Sequence, residues 1–241
     1  MSTLHTAAGF PRSAVVCAGL VLLGLAACQT SPPTAETPPD TRVVTEPGAI
    51  PAGAHELHVI PEESLLQILV YRGGAMARLG HNHVIASHHL GGAVYVTEVA
   101  TQSRFDITFP VNELTVDEPA MREMAGPDFP SNVPESAREG THKNLLSEAL
   151  LDGANYPTIR LRALDVIEAA GGYDMGVEIT IKDQARTVRV PVTVEKSEGS
   201  MKASGEFPLK QSELGLKPFS VAMGTLIVLD DMKVRFEVTA R

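Results

Sequence analysis

The sequence predicts an all-β fold, an antiparallel β-barrel with one short helical insertion. Short segments of alternating apolar and polar residues follow one another from residue 57 to the end of the chain, separated by turn residues. One region with helical periodicity, residues 118–151, interrupts these segments instead of alternating with them, which argues against a parallel sheet. Many antiparallel strands favour a closed barrel, because closure leaves no unpaired edge.

The predicted strands end at turn residues. Gly73 and Gly74 form one such pair, and Asp230 and Asp231 are interpreted as the turn between the last two strands. The insertion is predicted to contain two helical pieces, at residues 120–125 and 134–151. The strands are predicted over residues 64–71, 93–97, 104–109, 114–116, 158–167, 173–182, 187–194, 201–209, 224–229 and 233–239.

The alternation within these strands indicates which side chains face the barrel interior. Arg160 and Arg162 lie on the face opposite to Ile159 and Leu161, so we expect the arginines on the solvent side. A register error of one residue would reverse this assignment. The residues predicted to line the wall of a cavity are Ile68, Val70, Phe105, Ile107, Phe109, Ile159 and Leu161.

The N-terminus has the features of a bacterial lipoprotein signal. An apolar stretch, residues 14–27, is shorter than the roughly 20 residues that a membrane span requires. It ends in Leu-Ala-Ala-Cys, which resembles a lipobox, and this resemblance implies that Cys28 is lipidated and becomes the new N-terminus. Gln29, rather than an aspartate, then favours the outer membrane of a bacterial envelope.

These features divide the chain into three parts. Residues 1–27 are the predicted signal peptide, and residues 28–54 are a proline-rich tether with too few apolar residues to fold. Residues 55–241 form one domain, which has no cysteine and must be held together by its core. The net charge of −9, without a basic cluster, argues against a nucleic-acid surface.

Histidines concentrate in residues 78–92, where His81, His83, His88 and His89 lie close together. On a strand, His81 and His83 project from one face and Asn82 from the other. Together with His89 they offer the nitrogen ligands that Zn or Cu prefers. The alternative interpretation is a set of polar groups at the rim of the barrel. The residues predicted at this mouth are His81, Asn82, His83 and His142, and the residues of the alternative metal site are His81, His83 and His89.

No pattern in the sequence indicates catalysis. There is no Gly-x-Ser-x-Gly motif and no phosphate-binding loop, and no cysteine remains after processing. The neighbouring carboxylates Asp117 and Glu118 are interpreted as a solvated turn. We therefore expect a protein that is not an enzyme.

Three segments together resemble the YceI-like polyisoprenoid-binding proteins. Residues 57–64 resemble the opening strand of that family, residues 144–157 its central Ser-x-x-Phe-Phe-Asp…Tyr-Pro signature, and residues 206–215 a late strand. Asn144 occupies the position of the family's signature histidine. The positions of the family's Arg-Asp pair are occupied by Thr141 and His142. The resemblance implies a lipocalin-like barrel with an elongated apolar cavity, located in the bacterial envelope.

The function that this resemblance implies is non-covalent binding, sequestration or transport of an amphiphilic isoprenoid-type lipid, such as a quinone or a polyprenyl chain. The expected partners are this lipid and the membrane, and no cofactor is required. Two alternatives stay open. One is a metal-binding envelope protein that uses the histidine cluster. The other is an interaction module whose barrel is filled by its own side chains.

Overall fold

A computed structural model of the chain describes residues 49–241. The predicted signal peptide, Cys28 and most of the predicted tether therefore lie outside the described residues. The first strand begins at His55, where the sequence places the start of the folded domain.

The described part of the chain contains twelve strands and two α-helices. The strands are β1 His55–His58, β2 Leu65–Gly73, β3 His83–Ser87, β4 Gly91–Val96, β5 Arg104–Pro110, β6 Thr115–Val116, β7 Thr158–Ala169, β8 Gly172–Ile181, β9 Gln184–Ser197, β10 Ser200–Lys210, β11 Ser220–Val221 and β12 Leu226–Ala240. The helices are α1 Pro119–Ala125 and α2 Glu135–Leu145. The helical insertion thus lies where the sequence predicts it, but α2 ends at Leu145, six residues before the predicted end.

The sheet runs in the order β1-β4-β5-β7-β8-β9-β10-β12-β2-β3-β6, and all these pairs are antiparallel. It returns to its first strand through the end of β12. The His58 N–H donates to the Arg241 carbonyl at 2.6 Å, and the Arg241 N–H donates to the His58 carbonyl at 2.9 Å. Val59 and Ala240 also form a β-bridge. The prediction of an antiparallel barrel with a helical insertion is confirmed.

The two ends of the barrel differ. We call the end at which β2 finishes and β3 and β12 begin the mouth end. There β3 pairs with the short strand β6, at which the sheet stops, and α2 packs against β6. At the other end, tight turns join β7 to β8 and β9 to β10. A helix therefore lies beside the barrel at the mouth end.

One predicted turn is wrong. β12 continues through Asp230 and Asp231 as a single strand, with a register shift between Val228 and Met232 where it pairs with β2. The two aspartates lie within this irregularity. Asp230 accepts a hydrogen bond from the Ser212 N–H at 2.8 Å. A bulge and a turn have the same local composition, and only the pairing of the strand distinguishes them.

Apolar side chains pack in two places. The larger cluster fills and lines the barrel interior. The smaller one lies between α1 and the outer face of β2 and β3, so these two strands are covered on both faces. Its buried members are Leu69, Val84, Ala86, Met121 and Phe129. Within residues 49–241, no helix is long and apolar enough to cross a membrane.

Candidate functional site: an apolar cavity with a polar mouth

A space of about 200 Å³, which we call the inner cavity, occupies the barrel interior. All of its lining residues are apolar, and they include four phenylalanines, Phe105, Phe109, Phe207 and Phe236. A space of this kind lacks polar groups that could hold water, so it suits an apolar guest. Six of the seven residues predicted for the cavity wall line it: Ile68, Phe105, Ile107, Phe109, Ile159 and Leu161.

The alternation of residues along the strands produces this lining. On β7, Ile159 and Leu161 face the cavity, whereas the two arginines between and beside them face outward. Arg160 donates to the Asp106 carboxylate at 2.7 Å, and Arg162 donates to Glu178 at 3.0 Å. These ion pairs hold the polar face of β7 on the outside of the barrel, as the alternation indicates.

A second space of about 320 Å³, which we call the mouth cavity, lies toward the mouth end. The same face of β2 lines both spaces: Leu66 and Ile68 border the inner cavity, and Val70 and Arg72 border the mouth cavity. Val70 was predicted for the apolar wall. It lies one step nearer to the mouth because alternation gives the face of a strand but not the depth along the barrel axis. The polar side chains that line the mouth cavity are Arg72, His81, His83, Thr141, Asn144 and Gln211.

A buried network holds His83 in the wall of the mouth cavity. The His83 Nδ1 lies 2.5 Å from the Asp117 Oδ2, and Asp117 also accepts the Val84 N–H at 2.9 Å. Arg122 donates to the same carboxylate and to the Asn82 carbonyl at 2.8 Å. Asp117 and Arg122 are each 1% exposed, so this is an ion pair within the protein interior.

The carboxylate determines how His83 presents its ring. With the Nδ1–H donating to Asp117, the Nε2 accepts from the Thr141 hydroxyl at 3.3 Å on the cavity side. Burial alone raises the pKa of Asp117, but the hydrogen bonds from His83, Val84 and Arg122 outweigh it and hold this pKa below its usual value. The carboxylate is therefore ionised at neutral pH.

The interpretation of Asp117 as part of a solvated turn is wrong. Asp117 has a positive φ of 57°, and this conformation turns its side chain into the space between β3 and α1. Glu118, by contrast, is half-buried and accepts from His88 at 3.0 Å. No local signal distinguishes the two carboxylates, because the burial of Asp117 depends on Arg122 and His83, which come from two other elements.

The four predicted mouth residues separate in the structure. His81 and His83 both line the mouth cavity, with ring centroids 6.1 Å apart. Burial lowers the pKa of His81, and the neighbouring His83 lowers it further. Asn82 points away, accepts the Arg72 N–H and donates to the Asp128 carbonyl, each at 3.0 Å. His142 lies on α2 and its Nε2–H donates to the Leu114 carbonyl at 3.0 Å, outside the lining of the mouth cavity.

The structure does not gather the histidines of the alternative metal site. β3 begins only at His83, and the chain turns after Ser87, so His89 points to Glu113 on the surface at 3.1 Å. Within residues 49–241, no three side chains of the His, Cys, Asp or Glu types are placed to hold a metal ion together. The alternative therefore has no geometric support in the described part of the chain.

The fold and the two cavities define a class of protein, the antiparallel barrels that enclose an apolar space opening toward a polar mouth. A family model described as the YceI-like domain matches residues 78–240, and the chain belongs to this YceI-like family. The family that the sequence motifs resemble is thus confirmed.

A solved structure shares this fold, and a second one aligns less well. Burkholderia cenocepacia BcnA aligns with a TM-score of 0.56 and 17% identity, over 76% of this chain and 99% of BcnA. The YCEI protein of Campylobacter jejuni aligns with a TM-score of 0.43 and 11% identity, over 63% of this chain and 80% of that protein. No curated protein matches the sequence significantly.

Proposed function

We propose that this protein binds an amphiphilic, isoprenoid-type lipid without making or breaking a covalent bond, and that it sequesters or carries this lipid in the bacterial envelope. The observation that carries the proposal is the entirely apolar lining of the inner cavity, continued along the same strand faces into a cavity lined by polar groups. A quinone or a polyprenyl chain has the matching shape, with a long apolar tail and a small polar head.

The energetics favour such a ligand. Each methylene group that leaves water for the inner cavity contributes about 0.8 kcal/mol. The cavity offers no hydrogen-bonding side chain to a polar ligand, so a head group is stable only at the mouth. There, Thr141, Asn144 and the ring of His83 supply donors and acceptors that fix its orientation.

Two further parts of the proposal rest on the sequence. The lipobox supports an anchor at Cys28 that holds the protein on the membrane, facing the periplasm. The lack of a catalytic motif supports a binding protein over an enzyme. A barrel filled by its own side chains is the less favoured alternative, because it would leave no space of about 200 Å³.

The test is native mass spectrometry of the full chain purified from its own envelope. Ala203→Phe places a ring in the inner cavity, and Ser204→Phe places the same ring on the outer face of the same strand. The expected result is a co-purifying isoprenoid lipid in the parent and in Ser204→Phe, and its loss in Ala203→Phe. Equal occupancy in the two variants, with both folded by circular dichroism, would refute binding in the inner cavity.

A further inference from the structure

Two loops border the mouth cavity together with α2. They are residues 74–82, between β2 and β3, and residues 215–225, before β12, and we call them the rim loops. Gly80 and His81 of the first loop and Phe219 and Val221 of the second line the mouth cavity. Any ligand that enters the barrel from this side passes the rim loops. We propose that the rim loops dock on an anionic lipid surface, so that a ligand moves directly between the membrane and the barrel.

The first supporting observation is the concentration of exposed apolar side chains on the rim loops. Within residues 49–241, four of the nine exposed large apolar side chains lie there: Met76, Leu79, Val221 and Met223. Met223 is fully exposed and has a φ of 54°, a conformation that residues other than glycine adopt only at a cost. Exposure of such side chains around the opening of an apolar cavity is typical of a contact surface.

The rim loops are also joined to each other. The Met76 N–H donates to the Thr225 carbonyl at 2.8 Å, and the Thr225 hydroxyl lies 3.3 Å from the Met76 sulfur. Leu226 packs beneath Gly80, where an added Cβ would lie 2.9 Å from a Leu226 methyl group. The two loops therefore present their apolar side chains as one surface.

The charge of the rim loops identifies the partner as an anionic surface. The whole chain has a net charge of −9, yet no aspartate or glutamate occurs in residues 64–97 or 214–229. These stretches instead carry Arg72, Arg78 and Lys217, all of which are exposed. Basic side chains beside exposed apolar ones are the combination that binds to anionic membrane interfaces.

Three carboxylates lie next to the rim loops, those of Asp128, Glu213 and Asp230, and two of these accept hydrogen bonds from the chain. Glu213 accepts the Lys210 N–H, and Asp230 accepts both the N–H and the hydroxyl of Ser212. The helix α2, which also borders the mouth cavity, carries Glu135 and Glu139 but also Arg138 and Lys143, and Arg138 pairs with Glu135. The mouth is thus basic and apolar at the rim loops and without net charge at α2, so docking places the rim loops toward the lipid.

The chain contains no tryptophan, so a single introduced tryptophan reports on its own surroundings. Leu79→Trp places this probe on a rim loop, where Leu79 is 58% exposed. Val99→Trp is the matched control between β4 and β5 at the opposite end of the barrel, where Val99 is 52% exposed. The full chain is mixed with vesicles of phosphatidylcholine, with or without phosphatidylglycerol, whose acyl chains carry bromine as a quencher.

We expect the emission of Leu79→Trp to shift to shorter wavelength and to be quenched on vesicles that contain phosphatidylglycerol, whereas Val99→Trp remains unchanged. In the Leu79→Trp background, Arg78→Gln and Lys217→Gln each reduce partitioning about fivefold. Because Met223 is fully exposed, Met223→Ser also weakens quenching without unfolding the barrel, whereas Ile167→Ser at the opposite end does not.

Equal quenching of the two probes would overturn the proposal, because a predicted N-terminal anchor alone brings both ends of the barrel to the membrane. If the emission of Leu79→Trp is already at shorter wavelength without vesicles, and the mass in solution is doubled, the surface binds a second copy of the chain and the proposal is overturned. Lipid co-purification is measured on the same variants. The proposed lipid binding and the proposed docking can therefore fail independently of each other.

Discussion

The buried ion pair of Asp117 and Arg122 predicts a large effect from the loss of one charge. In Asp117→Asn the side chain keeps its shape, and asparagine tolerates the positive φ of 57° at this position. The change therefore removes the charge and leaves the backbone unstrained. Arg122, which is 1% exposed, then has no carboxylate to balance it. Breaking one side of such a pair costs about 3–5 kcal/mol of unfolding free energy.

The assay is urea unfolding of the parent and variant, followed by far-ultraviolet circular dichroism. The matched control is Asp106→Asn, which breaks the partly exposed pair with Arg160 on β5 and β7 and is expected to cost about 0–1 kcal/mol. Adding Arg122→Met to Asp117→Asn should cost less than the sum of the two single changes, because the partners are in contact. A loss for Asp117→Asn no greater than that of the control would refute the structural role assigned to the network.

Three further predictions concern stability. Gly205→Ala places a Cβ 2.4 Å from the Pro191 carbonyl and should cost about 1–3 kcal/mol in urea unfolding, whereas Gly91→Ala, which meets nothing within 4 Å, should be neutral. The native pKa of Asp117 lies below its usual value, so its contribution is present above about pH 3.9 and is lost as the pH falls toward the native pKa. Unfolding free energy measured across this range should fall less steeply in Asp117→Asn. The native pKa of His81 is also lowered. As the pH falls, the unfolded chain therefore protonates His81 at a higher pH than the folded protein does, and stability falls below about pH 6.5. His81→Gln should remove that part of the slope, and an unchanged slope would contradict the burial of its ring.

The sequence could predict the wall of the inner cavity because alternation along a strand is a local property. One face of any straight strand at this position holds Phe105, Ile107 and Phe109. On the neighbouring strand, the hydrogen bond from Arg160 to Asp106 marks the outer face. Depth along the barrel axis is not local, and Val70 therefore lies at the mouth instead of in the inner cavity.

The composition of the mouth was harder to predict, because it depends on contacts between distant segments. His83 lines the mouth cavity as expected, but the groups that position it, Asp117 and Thr141, come from residues after β6 and from α2. His89 shares the local pattern of His83 yet points to the surface, because the chain turns after Ser87. Local pattern identified the chemistry of this region, and only the fold could select which side chains share a cavity.

The position of β12 has a consequence for how the barrel is made. One edge of β12 pairs with β10, and the other edge pairs with β2, from which it is separated by most of the domain. Such non-local pairings slow folding, because loop closure costs entropy before the contacts form. Until β12 is in place, both β2 and β10 expose an unpaired edge, and exposed edges recruit strands from other chains. Aggregation during synthesis or refolding should therefore increase with the time that passes before β12 pairs with β2 and β10.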